Sequence, residues 1–123
     1  MMEEKNREKI IVNFTNHPSA NWDVSQKEAA EYYGRIVDIP FPNVDPKGDE
    51  AYIEMLAMKS VEAILKYEPE AVLCQGEFCL AYRVIQELKD RGITVLAACS
   101  ERLVRDNGNC KEVTFQFSRF RRY

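Results

Sequence analysis

Two periodicities alternate along this chain, and they divide it into strands and helices. Lys9–Phe14 is almost continuously apolar over Ile10-Ile11-Val12, the pattern of a strand buried on both faces. Arg35–Phe41, Ala71–Gln75 and Ile93–Cys99 read as the other parallel strands. Between these runs lie segments of helical spacing. Ser25-Gln26-Lys27-Glu28 has the form of a capping box, with the serine capping the Glu28 amide and the glutamate reaching back. The helix it opens is expected to stop at Gly34, a left-handed terminator. Ile53, Leu56, Ala57, Val61, Ile64 and Leu65 form one stripe within Asp49–Tyr67 and predict a helix packed on a sheet. A third helix is expected from Glu77 to Asp90, burying Phe78, Ala81, Tyr82, Ile85 and Leu88 and ending before Gly92.

The remaining segments are turns and a hairpin. Pro42-Asn43-Val44-Asp45-Pro46-Lys47-Gly48 holds two prolines and a glycine and reads as a loop. Asp106-Asn107-Gly108 is a strong hairpin signal. After it, Val113, Phe115 and Phe117 alternate with Thr114, Gln116 and Ser118, so the last strand is expected to bury one face. The order β-α-β-α-β-α-β plus a hairpin strand implies one α/β domain. The expected form is a three-layer α/β/α Rossmann-like sandwich, its sheet mainly parallel with a C-terminal antiparallel hairpin strand.

Small polar residues follow each buried run. Asn13, Thr15, Asn16, His17 and Ser19, with Trp22, follow the first; Gln75-Gly76-Glu77 follows the third; Ser100-Glu101-Arg102 follows the fourth. In an open parallel sheet the strand C-termini share one edge, where ligands bind, so the three clusters describe one site. Gly76 could let backbone amides approach an anion at a helix N-terminus, although a tight strand-to-helix turn explains it equally well. Glu77 could bond a ribose hydroxyl or act as a base, or serve as a first-turn acid. His17 is the only histidine, and imidazole is the side chain suited by type to acid-base work near neutrality. Trp22 reads either as a platform for a base or as a plug over the core. Arg102 and Ser100 could hold phosphate or make a salt-bridged loop.

Composition narrows the classes. A chain of 123 residues, 46% hydrophobic, can build one core. The net charge of −3 argues against a general binder of duplex DNA. Ser118-Arg119-Phe120-Arg121-Arg122-Tyr123 is locally basic and aromatic, either a solubilising tail or an anion clamp using Arg119 and Arg121. Cys74, Cys79, Cys99 and Cys110 have no zinc-ligand spacing and read as free thiols, with Cys74 and Cys99 in buried strands. No metal and no cofactor is expected. The charged stretch Met1–Lys9 lacks the apolar core of a signal peptide, and no run reaches the roughly 20 apolar residues of a membrane span. A cytoplasmic location is the expectation.

Taken together, Asn13-Phe14-Thr15-Asn16-His17-Pro18-Ser19 with Trp22, Ile39-Pro40-Phe41-Pro42-Asn43-Val44-Asp45-Pro46, Gln75-Gly76-Glu77, Ser100-Glu101-Arg102 and Phe117-Ser118-Arg119-Phe120-Arg121 span nearly the whole chain. In these segments the chain resembles small stand-alone CRISPR-associated proteins of type III systems, with a Rossmann-like fold similar to CARF domains. The resemblance implies a homodimer that binds a cyclic oligoadenylate second messenger across its two-fold axis. It also implies that the protein either sequesters the ring or cleaves it without a metal, as ring nucleases do. His17 is then the candidate acid or base, and Arg102 or Arg119 the charge stabiliser. Two other readings stand beside it. One is a nucleoside-processing N-glycosidase with Glu77 as nucleophile; the other is a non-catalytic interaction module.

Overall fold

The computed structural model describes residues 8–123; the reading of the charged N-terminus falls largely on residues 1–7, outside the described residues. It is a mixed α/β protein with a five-stranded, mostly parallel sheet, three α-helices and one antiparallel strand pair. In chain order the elements are β1 (Ile10–Phe14), α1 (Val24–Glu31), β2 (Arg35–Asp38), α2 (Glu50–Leu65), β3 (Ala71–Cys74), α3 (Phe78–Asp90), β4 (Thr94–Asn107) and β5 (Cys110–Arg122). A short 3-10 turn, Ser19–Asn21, lies between β1 and α1.

The strands are ordered β2-β1-β3-β4-β5, parallel through β4 and antiparallel between β4 and β5. Strand β1 is central, flanked by β2 on one side and β3 on the other. The chain leaves β1 toward one edge and returns past it toward the other. Connections therefore diverge between β1 and β3, which opens a crevice at their C-terminal ends.

Alternation along β1 sends side chains into two apolar clusters. Ile10, Val12 and Phe14 join Ala57, Val61 and Ile64 of α2 and Leu80, Val84 and Leu88 of α3. Ile11 joins Leu73, Leu96, Phe120, Trp22 and Ala30 of α1. The α2 stripe is buried as its spacing requires, with Leu56 and Leu65 partly buried at its margins.

Several sequence expectations are corrected. Helix α1 is capped by Asp23, whose carboxylate accepts from the Gln26 amide at 3.0 Å, while Ser25 donates to that same carboxylate at 2.9 Å. The capping box loses because Asp23 is charged and lies two residues before Ser25. The helix stops at Glu31, not at Gly34, which has φ 148° and lies against the Lys9 carbonyl as the chain enters β2. Strand β2 ends at Asp38, beyond which the backbone bonds only through Ile39 and Phe41. Phe78 and Tyr82 are exposed; the buried stripe of α3 is Leu80, Ala81, Val84 and Leu88, one step round the helix. Strand β4 continues eight residues past the expected end at Cys99, and the turn is Gly108-Asn109, with φ 63° at Gly108. Val113 and Phe115 are exposed, so the outer part of β5 buries neither face within the chain. Cys99 is half-buried rather than buried.

Cys74 is the buried thiol, and burial pushes its pKa up to about 12 from an ordinary 9.0. A thiol reagent at about pH 8 is expected to modify Cys79 and Cys110, which are exposed, and to leave Cys74 unmodified in the folded protein. Peptide mass spectrometry checks this; rapid native labelling of Cys74 would contradict its placement. Because the folded pKa lies above the unfolded one, the neutral thiol's contribution is full below 9.0 and is lost as pH rises toward about 12. A Cys74→Val variant should therefore show a shallower alkaline loss of stability in urea titrations.

Candidate functional site

The loop after β1 is held by side chains of its own strand. Asn13 is buried, and its Nδ2 donates to the His17 carbonyl and to Asp38 Oδ1, both at 2.9 Å. Its Oδ1 accepts from the Thr15 hydroxyl at 2.8 Å, and Thr15 Oγ1 in turn accepts from the His17 amide at 3.1 Å. Trp22 Nε1 donates to the same His17 carbonyl at 3.1 Å, while the indole is buried over Ile11, Leu73 and Leu96. The loop thus folds around one carbonyl, and the only histidine side chain is left exposed at its apex. Ser19 is tied to Asp38, its hydroxyl donating to Oδ2 at 3.0 Å.

These ties form one wall of a cleft of about 800 Å³ at the C-terminal ends of β1 and β3 and beside the middle of β4. Thr15, Asn16, His17 and Pro18 line it from the first loop, with Asn21, Trp22, Asp23 and Gln26 continuing into α1. Leu73 and Gln75 supply the floor from β3, Ala98 and Ser100 come from β4, and Phe115 and Phe117 from β5. Its volume lies within the range of small-molecule sites, and polar groups converge on an apolar floor. Gln75 is fixed because its Oε1 accepts from the Ala98 amide at 2.9 Å, which bridges the ends of β3 and β4. The Asp23 carboxyl is held below the usual carboxylate range, chiefly by the Gln26 amide and then by the Ser25 hydroxyl.

The other candidates are placed elsewhere. Glu77 caps α3, its Oε1 accepting from the Leu80 amide at 2.8 Å, and it lines a separate recess of about 310 Å³ with Asn16, Phe41 and Asn43. At Gly76 an added Cβ would meet the Phe41 ring at 2.5 Å, so ring packing accounts for this glycine. Arg102 is exposed on β4 two residues beyond Ser100, on the cleft's side of the strand but outside the cleft lining. Arg119 and Arg121 pair with Cys99 and Ala97. Ala98 and Phe120 share the cluster beneath the cleft, so these arginines fall on the opposite face of the sheet. Arg119 Nε donates to the Phe120 carbonyl at 3.0 Å.

Asp38, Asp23, Phe115 and Phe117 belong to this neighbourhood although sequence reasoning passed over them. Asp38 had a readable signal, since it closes a strand as Asn13 and Gln75 do. On the α3 side, a second cleft of about 690 Å³ shares Gln75 and is lined by Phe78, Tyr82 and Tyr123. The Tyr123 hydroxyl donates to the Cys74 carbonyl at 2.7 Å, and burial raises its pKa. Among the described residues no three His, Cys, Asp or Glu side chains come close enough to hold a metal ion. No helix among them is long and apolar enough to cross a membrane.

The cleft lies at the switch point of a mostly parallel α/β sheet, the place at which open sheets of this kind accept ligands. The chain belongs to the MJ1673 family of uncharacterized proteins, which it matches over residues 9–121. No curated protein matches it.

Proposed function

We propose that this protein is a cytoplasmic, homodimeric binder of cyclic oligoadenylates with a three-layer, Rossmann-like, CARF-like fold, serving type III CRISPR defence. The observation that carries the reading is the cleft itself, where the ends of β1 and β3, the middle of β4 and one exposed histidine meet at the switch point of the sheet. The placement of the α1 cluster and the α2–α3 cluster on alternate residues of β1 supports the layered fold. Asn16, His17, Gln75 and Ser100 offer the neutral donors and acceptors that ribose, base edges and phosphate oxygens require. Arg102, two residues beyond Ser100 on the same face, offers a guanidinium for phosphate charge.

Cleavage needs no metal in this reading. A ribose 2′-hydroxyl attacks the adjacent phosphorus, the bond to the 5′-oxygen breaks, and the products carry a 2′,3′-cyclic phosphate and a 5′-hydroxyl. His17 takes the 2′-hydroxyl proton, the leaving 5′-oxygen acquires one, and the protein mainly aligns the attack. The N-glycosidase alternative would need Glu77 free to attack an anomeric carbon, whereas its carboxylate caps α3.

A thermal-shift series with cyclic tri-, tetra- and hexa-adenylate tests the proposal, with linear oligoadenylates and nucleosides as controls. A ring at about 100 times its dissociation constant adds roughly 2.7 kcal/mol, or roughly 10 °C. His17→Ala is expected to keep the shift and lose any ring opening seen by chromatography. If no ring moves the midpoint, the ligand assignment is wrong.

A further inference from the structure

The structure leaves one long element without cover. From Ser100 to Asn107, β4 has no sheet neighbour except β5, so the hairpin projects about 25 Å beyond the body of the sheet. A register shift between Cys99 and Ser100, with Ser118 as the extra residue, marks where it leaves. An isolated two-stranded ribbon is marginal in water. The pairing register assigns its faces, because directly opposed residues share a side. One face carries the rungs Ser100–Phe117, Arg102–Phe115, Val104–Val113 and Asp106–Lys111; the other carries Glu101–Gln116, Leu103–Thr114 and Arg105–Glu112. The first face holds most of the apolar surface, with Phe115 69%, Val104 51% and Val113 43% exposed. It also runs unbroken into the cleft, which Ser100, Phe115 and Phe117 line.

We infer that this face is the dimer interface, that a second copy of the chain covers it, and that the hairpin tip of each subunit roofs the cleft of the other. The inference rests on the homodimer of the preceding section and not on the identity of its ligand, and it gives that dimer two clefts, one at each end, in place of a single site on the two-fold axis. The charges select a second copy. A two-fold axis across the strands at the Val104–Val113 rung stacks the arms antiparallel, with the two bodies at opposite ends. Val104 and Val113 then meet their own counterparts. Arg102 lies over Asp106 of the partner subunit, and Phe115 over Lys111 of the partner subunit, a salt bridge and a cation–π contact each made twice. No like charges oppose one another. The same operation carries the turn Gly108-Asn109 onto the Ser100–Phe117 rung of the partner subunit, at the mouth of its cleft. A guanidinium has five donors, so the Asp106 pair leaves others at Arg102 for a ligand there.

Light scattering coupled to size exclusion, on the full chain without nucleotide, reads the proposal directly. Twice the 14.3 kDa chain mass is expected in the micromolar range. Val104→Asp sets two carboxylates against each other on the axis and should weaken association roughly 100-fold. Its melting curve at monomer concentrations should be unchanged, since Val104 is exposed in the single chain. Leu103→Asp, on the opposite face, should remain dimeric. Arg102→Asp and Asp106→Arg should each dissociate the dimer, and the double variant should restore it. A monomeric wild type, a dimeric Val104→Asp, or a double exchange without rescue overturns the inference; the last would point to edge pairing of β5 instead. Because no ring enters the measurement, failure of ligand binding and failure of this interface give separate results.

Discussion

Asn13→Leu is expected to lower stability by about 3 kcal/mol, which for a chain of this size moves the melting midpoint by roughly 10 °C. The substitution keeps the branched shape and the number of heavy atoms and removes every hydrogen bond the side chain makes. Asn13 donates to the His17 carbonyl and to Asp38, and accepts from Thr15, all from a position 1% exposed. Asp38 is at the surface and can turn to water, so its lost partner costs little. The Thr15 hydroxyl, 6% exposed, loses its 2.8 Å acceptor and is left with the longer bond to the His17 carbonyl at 3.3 Å, and that carbonyl loses the shortest of its three donors. Trp22, Thr15 and the Ser19–Asp38 tie would then hold the loop without its central buried anchor. The loop bearing His17 should loosen, so the variant should also lose most of any ring-induced thermal shift. A midpoint within about 1 kcal/mol of wild type would show that the network does not hold the loop.

Gly34→Ala should cost as much, for a different reason. The residue sits at φ 148°, a conformation that side chains of L-residues avoid. A Cβ there would lie 2.3 Å from the Lys9 carbonyl oxygen and 2.7 Å from the Ile10 nitrogen. Both are backbone atoms, and neither is free to retreat: the Lys9 carbonyl accepts from the Arg35 amide at 2.9 Å, and Ile10 is in register with Arg35. Strain and overpacking together amount to about 3 kcal/mol. Urea unfolding should show a lower midpoint with an unchanged slope. A loss below about 1 kcal/mol would mean that the β1–β2 edge yields more readily than its hydrogen bonds suggest.

Both predictions turn on residues whose type was visible in the sequence and whose role was not. Gly34 was legible as a special backbone position, yet its neighbour, the Lys9 carbonyl, lies 25 residues away and no local pattern reports it. Asn13 was legible as a polar residue closing a strand. That reading made it a ligand group, whereas its hydrogen bonds are spent on its own loop. Gly76 followed the same course, since Phe41, brought over it by the chain after β2, accounts for the missing side chain. Small polar residues at a strand end can serve a ligand or the turn that shapes its site, and sequence spacing is the same for both.

Local chemistry by itself determined the elements and their order. Continuous apolar runs placed β1 and β3, the helical stripe placed α2, and Asp49 caps that helix as an acceptor for the Tyr52 amide at 3.0 Å. These signals rest on contacts within a few residues or on one-dimensional periodicity, so they survive without knowledge of the partner. Tertiary structure alone decided which side of α3 faces the core, since Phe78 and Tyr82 carry the same hydrophobic signal as Leu80 and Val84 but only one set can meet the sheet. It also decided that Arg119 and Arg121 leave the cleft face, because the extra residue at Ser118 and the register with β4 set their side of the sheet. The apolar alternation of β5 announced a buried face, but Val113 and Phe115 are exposed. Whether that face is buried depends on what stands opposite, and within one chain nothing does.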